Sequence, residues 1–139
     1  MNAALNTAAP RPEVLGGPVP YLIVDGALLA SELYQRAFNA CEVGRVPPDA
    51  KGRTMHVHLY VNGGSLMLSD AYPEHGCPFK PHQGYTLHLQ VDDVEAWWQR
   101  AVAAGLEIVT PLQVMFWGDR WGQLRDRFGV LWSMGASAG

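Results

Sequence analysis

Cysteine is scarce in this chain: Cys41 and Cys77 are the two among 139 residues. Two are too few for a disulfide framework, so reduced thiols are the expectation. An excess of charge of one sign is missing as well. Ten Lys and Arg against thirteen Asp and Glu leave a formal net charge of −3, with no basic cluster, which argues against nucleic acid as a partner. No apolar run approaches the ~20 residues of a spanning helix, so no membrane partner is expected. The first ten residues, Met1 to Pro10, lack the basic start and apolar centre of a signal peptide. These absences together predict a soluble, cytoplasmic protein.

What is present is core-forming material, with 48% of residues hydrophobic. That suffices for one compact domain or two small fused modules. Residues 1–17 are rich in Ala, Pro and Gly without periodicity and read as a mobile tail. A strand is expected over 19–25, with Pro20 near its start or at an edge. Residues 27–38 switch to helical period, with Leu29, Leu33 and Ala37 on one line and Ala30, Tyr34 and Phe38 on another. A short strand over 41–46 and the loop 47–52 follow.

Residues 53–61 alternate. Met55, Val57, Leu59 and Val61 point one way, and His56, His58 and Tyr60 the other. Asn62-Gly63 marks a hairpin returning through 65–69. Residues 70–83 carry no regular signal. Alternation resumes over 85–91, with Leu87, Leu89 and Val91 opposite Thr86, His88 and Gln90. Asp92 or Asp93 caps a helix reaching Ala104, Gly105 stops it, and a strand over 106–110 ends at Pro111. The stretch 116–133 holds three of the five tryptophans and reads as two strands joined at Asp126-Arg127-Phe128-Gly129.

The two halves repeat. Gln35-Arg36-Ala37 and Gln99-Arg100-Ala101 end the two helices 64 positions apart, and the two glycine hairpins are spaced similarly. Each half reads strand, helix, strand, strand, strand, a duplication at supersecondary scale. The expected class is α+β, two tandem βαβββ modules at 18–70 and 84–135 joined by the loop 71–83, in a single domain spanning 18–135.

This tandem pattern resembles the vicinal oxygen chelate superfamily of glyoxalase I, bleomycin resistance proteins and extradiol dioxygenases. The wording of Tyr21-Leu22-Ile23-Val24-Asp25-Gly26-Ala27, Leu66-Met67-Leu68-Ser69-Asp70, Val91-Asp92-Asp93-Val94 and Phe116-Trp117-Gly118-Asp119-Arg120 is similar to its PhnB-like branch. In that branch the last hairpin usually carries Asp-Pro-Phe-Gly, and Arg127 here stands at the proline. The resemblance implies the glyoxalase/bleomycin resistance/dioxygenase fold, a cup-shaped mixed sheet, and a homodimer that covers exposed strand edges. It also implies where a metal would sit. Val19, Met67 or Leu68, Thr86 and Ser133 match the ligand positions of the metalloenzymes, and none is His, Asp or Glu. No metal cofactor is therefore expected.

The cup is expected to be lined by Tyr21, Ile23, His56, His58, Tyr60, Thr86 and His88, with Trp117, Asp119, Arg120 and Trp121 closing one end. Met55, Val57, Leu59, Leu87, Leu89 and Trp132 should face the helices. His88 is the candidate catalytic group, a general acid/base or ligand anchor, because imidazole titrates near neutral pH. Arg120 suits a carboxylate or phosphate, unless Asp119–Arg120 or Arg125–Asp126 pairs serve only the hairpin. Asp70, Glu74 and Glu95 read as surface or capping groups. His75, Cys77 and His82 match no zinc spacing. The reading is a protein that binds a small organic molecule without the usual divalent metal. One alternative is a zinc-, nickel-, manganese- or iron-dependent lyase or dioxygenase recruiting His56, His58 and His88. The other is a non-catalytic structural or partner-binding module.

Overall fold

Each half of the chain folds as strand, helix and three further strands in a computed structural model that describes residues 11–138. The first half holds β1 (Tyr21–Val24), α1 (Ala27–Phe38), β2 (Cys41–Arg45), β3 (Val57–Val61) and β4 (Gly64–Asp70). The second holds β5 (Leu87–Gln90), α2 (Val94–Ala103), β6 (Glu107–Val114), β7 (Asp119–Arg125) and β8 (Leu131–Ser137). The repeat in sequence is a repeat in topology. The sheets run β1-β4-β3-β2 and β5-β8-β7-β6, and in each the first strand is parallel to the last.

The helices start by different means. At α1, Gly26 adopts φ 109 and supplies no side-chain cap. Asp70, at the end of β4, does so from a distance. Its Oδ1 accepts the N–H groups of Gly26 and Ala27 at 2.8 and 3.0 Å, and its Oδ2 accepts that of Thr54 at 2.8 Å. Asp70 is thus a buried remote cap, satisfying donors that the first helical turn leaves unpaired. At α2 the cap is local, with Asp93 Oδ1 accepting from Ala96 N at 3.2 Å. Gly105 at φ 103 turns the chain out of that helix.

Both helices face one shared core. Tyr34 and Phe38 of α1 lie against Trp132 of β8, with ring centroids 5.1 and 4.3 Å away. Each such buried aromatic contributes about 1.5–3 kcal/mol by its area alone. Asp126, in the last hairpin, fastens the halves together. Its carboxylate accepts from Tyr34 Oη at 2.6 Å, Trp132 Nε1 at 3.0 Å, and the N–H groups of Phe128 and Val130 at 2.9 and 3.0 Å. The Arg125–Asp126 pair considered above does not form, because Asp126 is turned inward and Arg125 outward. Burial and then the Asp126 carboxylate hold the Tyr34 phenol well above its usual pKa, so it stays a donor.

Three expectations need correction. Strand β3 starts at Val57, and Met55 lies before it, half exposed, so it does not face the helices. Pro111 does not end a strand. It lies inside β6, an edge strand with register shifts on either side of Thr110, where a missing N–H costs no ladder bond. The part of the expected tail at 11–17 rests on the first sheet. Leu15 N donates to Ser65 Oγ at 2.8 Å, Ser65 N to Leu15 O at 3.0 Å, and Tyr60 Oη to Glu13 O at 2.7 Å. Residues 1–10 lie outside the described residues. Among the described residues no helix is long and apolar enough to cross a membrane.

Candidate functional site

Because the helices cover one face of each sheet, period-2 alternation turns the other residues of every strand outward. On the second sheet this builds a polar row. His88 on β5 stands opposite Ser133 on β8, Ser133 opposite Gln123 on β7, and Gln123 opposite Thr110 on β6. Leu89, Leu124, Trp132 and Met134 occupy the alternate, core-facing positions.

Hydrogen bonds fix the histidine. His88 Nε2 lies 2.8 Å from Gln90 Oε1 and Nδ1 lies 2.7 Å from Ser133 Oγ. An amide oxygen only accepts, so Nε2 carries the proton; in neutral imidazole Nδ1 then accepts from the Ser133 hydroxyl. Thr110 Oγ1 donates to Gln123 Oε1 at 3.1 Å. Gly135 lies between Gln90 and Trp121 in register, and a Cβ there would sit 3.1 Å from His88 Cε1 and 3.2 Å from Gln90 Oε1. The missing side chain lets the His88 imidazole and the Gln90 amide close over the buried Gly135 backbone, beside the Trp121 indole. Trp117, at the hairpin tip, meets Trp121 edge to face at 5.6 Å.

The first sheet presents a second polar face. Tyr21, Met67 and His58 stand in register across β1, β4 and β3. Tyr21 Oη lies 2.9 Å from His56 Nδ1 and 3.2 Å from Met55 O. His58 Nε2 lies 2.7 Å from Ser65 Oγ. The rings of His56, His58 and Tyr60 follow one another, with successive centroids 6.4 and 5.3 Å apart. His58 is 3% exposed, and burial followed by the neighbouring His56 lowers its pKa below the usual imidazole value.

Of the nine ligand-facing residues expected from sequence, Tyr21, His56, His58 and Tyr60 lie on the first sheet's outward side. Thr86 immediately precedes β5 and His88 lies within it. Asp119 alternates with Arg120 and so shares a face with Trp121, beside Trp117. Arg120 does not reach the cup. It stands opposite Ala136 of the core face, and its Nε and Nη2 donate to Glu95 Oε1 of α2 at 2.6 and 2.5 Å. Gln123, Thr110 and Gly135 were missed. The alternation Asp119, Trp121, Gln123 against Arg120, Gly122, Leu124 carried the signal for the first.

The candidate metal ligands are not gathered. His58 lies on β3 of the first sheet with His56 just before that strand, His88 lies on β5 of the other sheet, and no group of three or more His, Cys, Asp or Glu forms among the described residues. At the positions where relatives would hold an ion, Leu68 is core, Met67 lies between Tyr21 and His58, and the Ser133 hydroxyl is engaged by His88. This donor set does not fit a divalent ion. His82 serves the loop, bonding Ile23 O at 2.8 Å through Nε2 and meeting Tyr85 Oη through Nδ1.

The family model described as Glyoxalase/Bleomycin resistance protein/Dioxygenase superfamily matches residues 21–134. The uncharacterized protein Mb0911c of Mycobacterium bovis is 44% identical over 123 residues, covering 84% of this chain and 80% of that protein. The crystal structure of PA1353 from Pseudomonas aeruginosa is similar at a TM-score of 0.71 and 30% identity, over 86% of this chain and 96% of that one. The PhnB protein of Bacillus cereus has the same fold at a TM-score of 0.67 and 20% identity, covering 88% and 100% of the two chains. With a duplicated βαβββ topology and a family match across nearly all of it, this chain belongs to the glyoxalase/bleomycin resistance protein/dioxygenase superfamily.

Proposed function

We propose that this chain is a PhnB-like member of its superfamily that binds a small organic molecule on the outward polar faces of its sheets, without the usual divalent ion. The observation that carries this reading is the row His88, Ser133, Gln123 and Thr110, set beside the Trp117–Trp121 pair. The His88 imidazole is held at both nitrogens on the exposed side of the second sheet. Fixed donors and acceptors orient a ligand, and indoles cover its flat or apolar part. If the site also turns a substrate over, His88 is the group placed to move a proton, through the Nε2–H that Gln90 now accepts.

A homodimer completes the proposal. In a single chain the polar faces point away from the shared core, and the short strands β1 and β5 lie at sheet edges. Bringing a second copy against them would enclose the open polar face of the second sheet and cover exposed edges. The metal-dependent alternative would need the same assembly to bring His88 to His56 and His58.

Tryptophan fluorescence tests the site. Titration with a panel of aromatic and aliphatic small molecules should quench emission saturably for at least one class. Gly135→Leu, whose added side chain must push the His88 ring and the Gln90 amide aside, should abolish that response while leaving the far-ultraviolet circular dichroism unchanged. Equal quenching in the parent and in Gly135→Leu would count against the reading.

A further inference from the structure

The segment 11–15 does more than rest on the first sheet. It roofs a pocket of about 540 Å³ whose floor includes His56, His58 and Met67 and whose side is Arg45. Arg11 and Pro12 form part of the roof, with Pro12 3.6 Å from where a Gly44 Cβ would stand.

The lining is basic rather than acidic. It holds two guanidinium groups and two imidazoles and no carboxylate. The nearby Glu42 is already committed, its oxygens accepting from Arg45 Nε and Nη2 at 2.8 and 2.9 Å and from Ser31 Oγ at 2.7 Å. Arg11 has no carboxylate partner among the described residues. The roof and the floor are also joined through one hydroxyl, since Ser65 Oγ accepts from Leu15 N and bonds His58 Nε2.

We propose that this pocket takes the anionic group, a carboxylate or phosphate, of a small organic ligand, held between Arg11 in the roof and the imidazoles of the floor. The proposal rests on the binding reading above and deepens it by naming the ligand's charge. Arg11 is the deciding residue. A planar guanidinium matches two oxygens of a carboxylate or phosphate, and in a pocket partly closed to water that contact is stronger than on an open surface. Arg45 holds the far side with the Nη1 that Glu42 leaves unused.

The test is titration of the full chain at constant pH with benzoate, with inorganic phosphate, and with benzamide as the neutral counterpart of benzoate. The readout is the imidazole proton resonances of His56, His58 and His88, assigned with single His→Gln variants. Benzoate or phosphate should move His56 and His58 saturably, benzamide should not, and Arg11→Gln should weaken the anion about tenfold or more. Anions that leave His56 and His58 unmoved, or an affinity unchanged by Arg11→Gln, overturn the proposal. If benzamide or benzoate moves only His88 and the indoles, the wider binding reading stands and the anion pocket falls.

Discussion

Replacing Asp126 by asparagine should cost this protein more stability than its one-atom change suggests. The carboxylate receives four hydrogen bonds, two from backbone N–H groups of its own turn and two from Tyr34 and Trp132 across the core. An amide keeps one oxygen. If that oxygen serves the turn, the new NH2 faces the Trp132 N–H, which can only donate. The Tyr34 hydroxyl can rotate to accept, but the indole cannot. Stranding one buried donor costs about 1–3 kcal/mol, and the bonds that remain lose their charge assistance, so the total is about 3 kcal/mol. For a chain of this length that is a fall of roughly 10 °C in Tm. Urea unfolding at one fixed protein concentration, followed by tryptophan fluorescence, measures it. Tyr34→Phe, which leaves the carboxylate its other three donors, should cost about half as much. An Asp126→Asn variant within about 0.5 kcal/mol of the parent would refute the view that this residue locks the modules together.

Gly122→Ala should destabilise by about 1–3 kcal/mol in the same assay, because the added Cβ would lie 2.6 Å from the Trp98 ring and 3.0 Å from Leu112 Cα. His58, whose imidazole pKa is lowered by burial and by His56, should make stability pH-dependent. Its contribution is complete above the unfolded value of 6.5 and is lost as pH falls through the lower folded value. Stability curves at stepped pH should show that loss, and His58→Gln should remove it. Glu74, bonded by Arg53 and pushed down to about 2, should return toward the ordinary carboxylate range in Arg53→Gln, as read by its side-chain carboxyl chemical shift.

The duplicated topology was legible because two signals agreed in each half. Period-4 apolar positions such as Ala30, Tyr34 and Phe38 marked the first helix, and period-2 runs such as Val57, Leu59 and Val61 marked strands whose alternate side faces solvent. Alternation also found His58, Tyr60 and His88. It failed at Met55, where the pattern continues past the hydrogen-bonded strand, and at Pro111, where an edge position tolerates a residue that would break an interior strand. Arg120 was misplaced because its chemistry suggested a ligand, whereas its parity along β7 puts it beside Glu95. The roles of Gly135 and of the segment 11–15 were not legible at all. Both depend on which residues lie across a sheet, and no local period in the sequence reports that.

Native mass spectrometry of the freshly purified full chain bears most directly on the central claim, because one spectrum reports ligand, metal and assembly together. The expected result is a dimer that carries a small organic molecule and no stoichiometric zinc, nickel, manganese or iron. A species with one such ion per chain, lost when His56 or His88 is replaced by alanine, would contradict the account and establish the metal-dependent alternative.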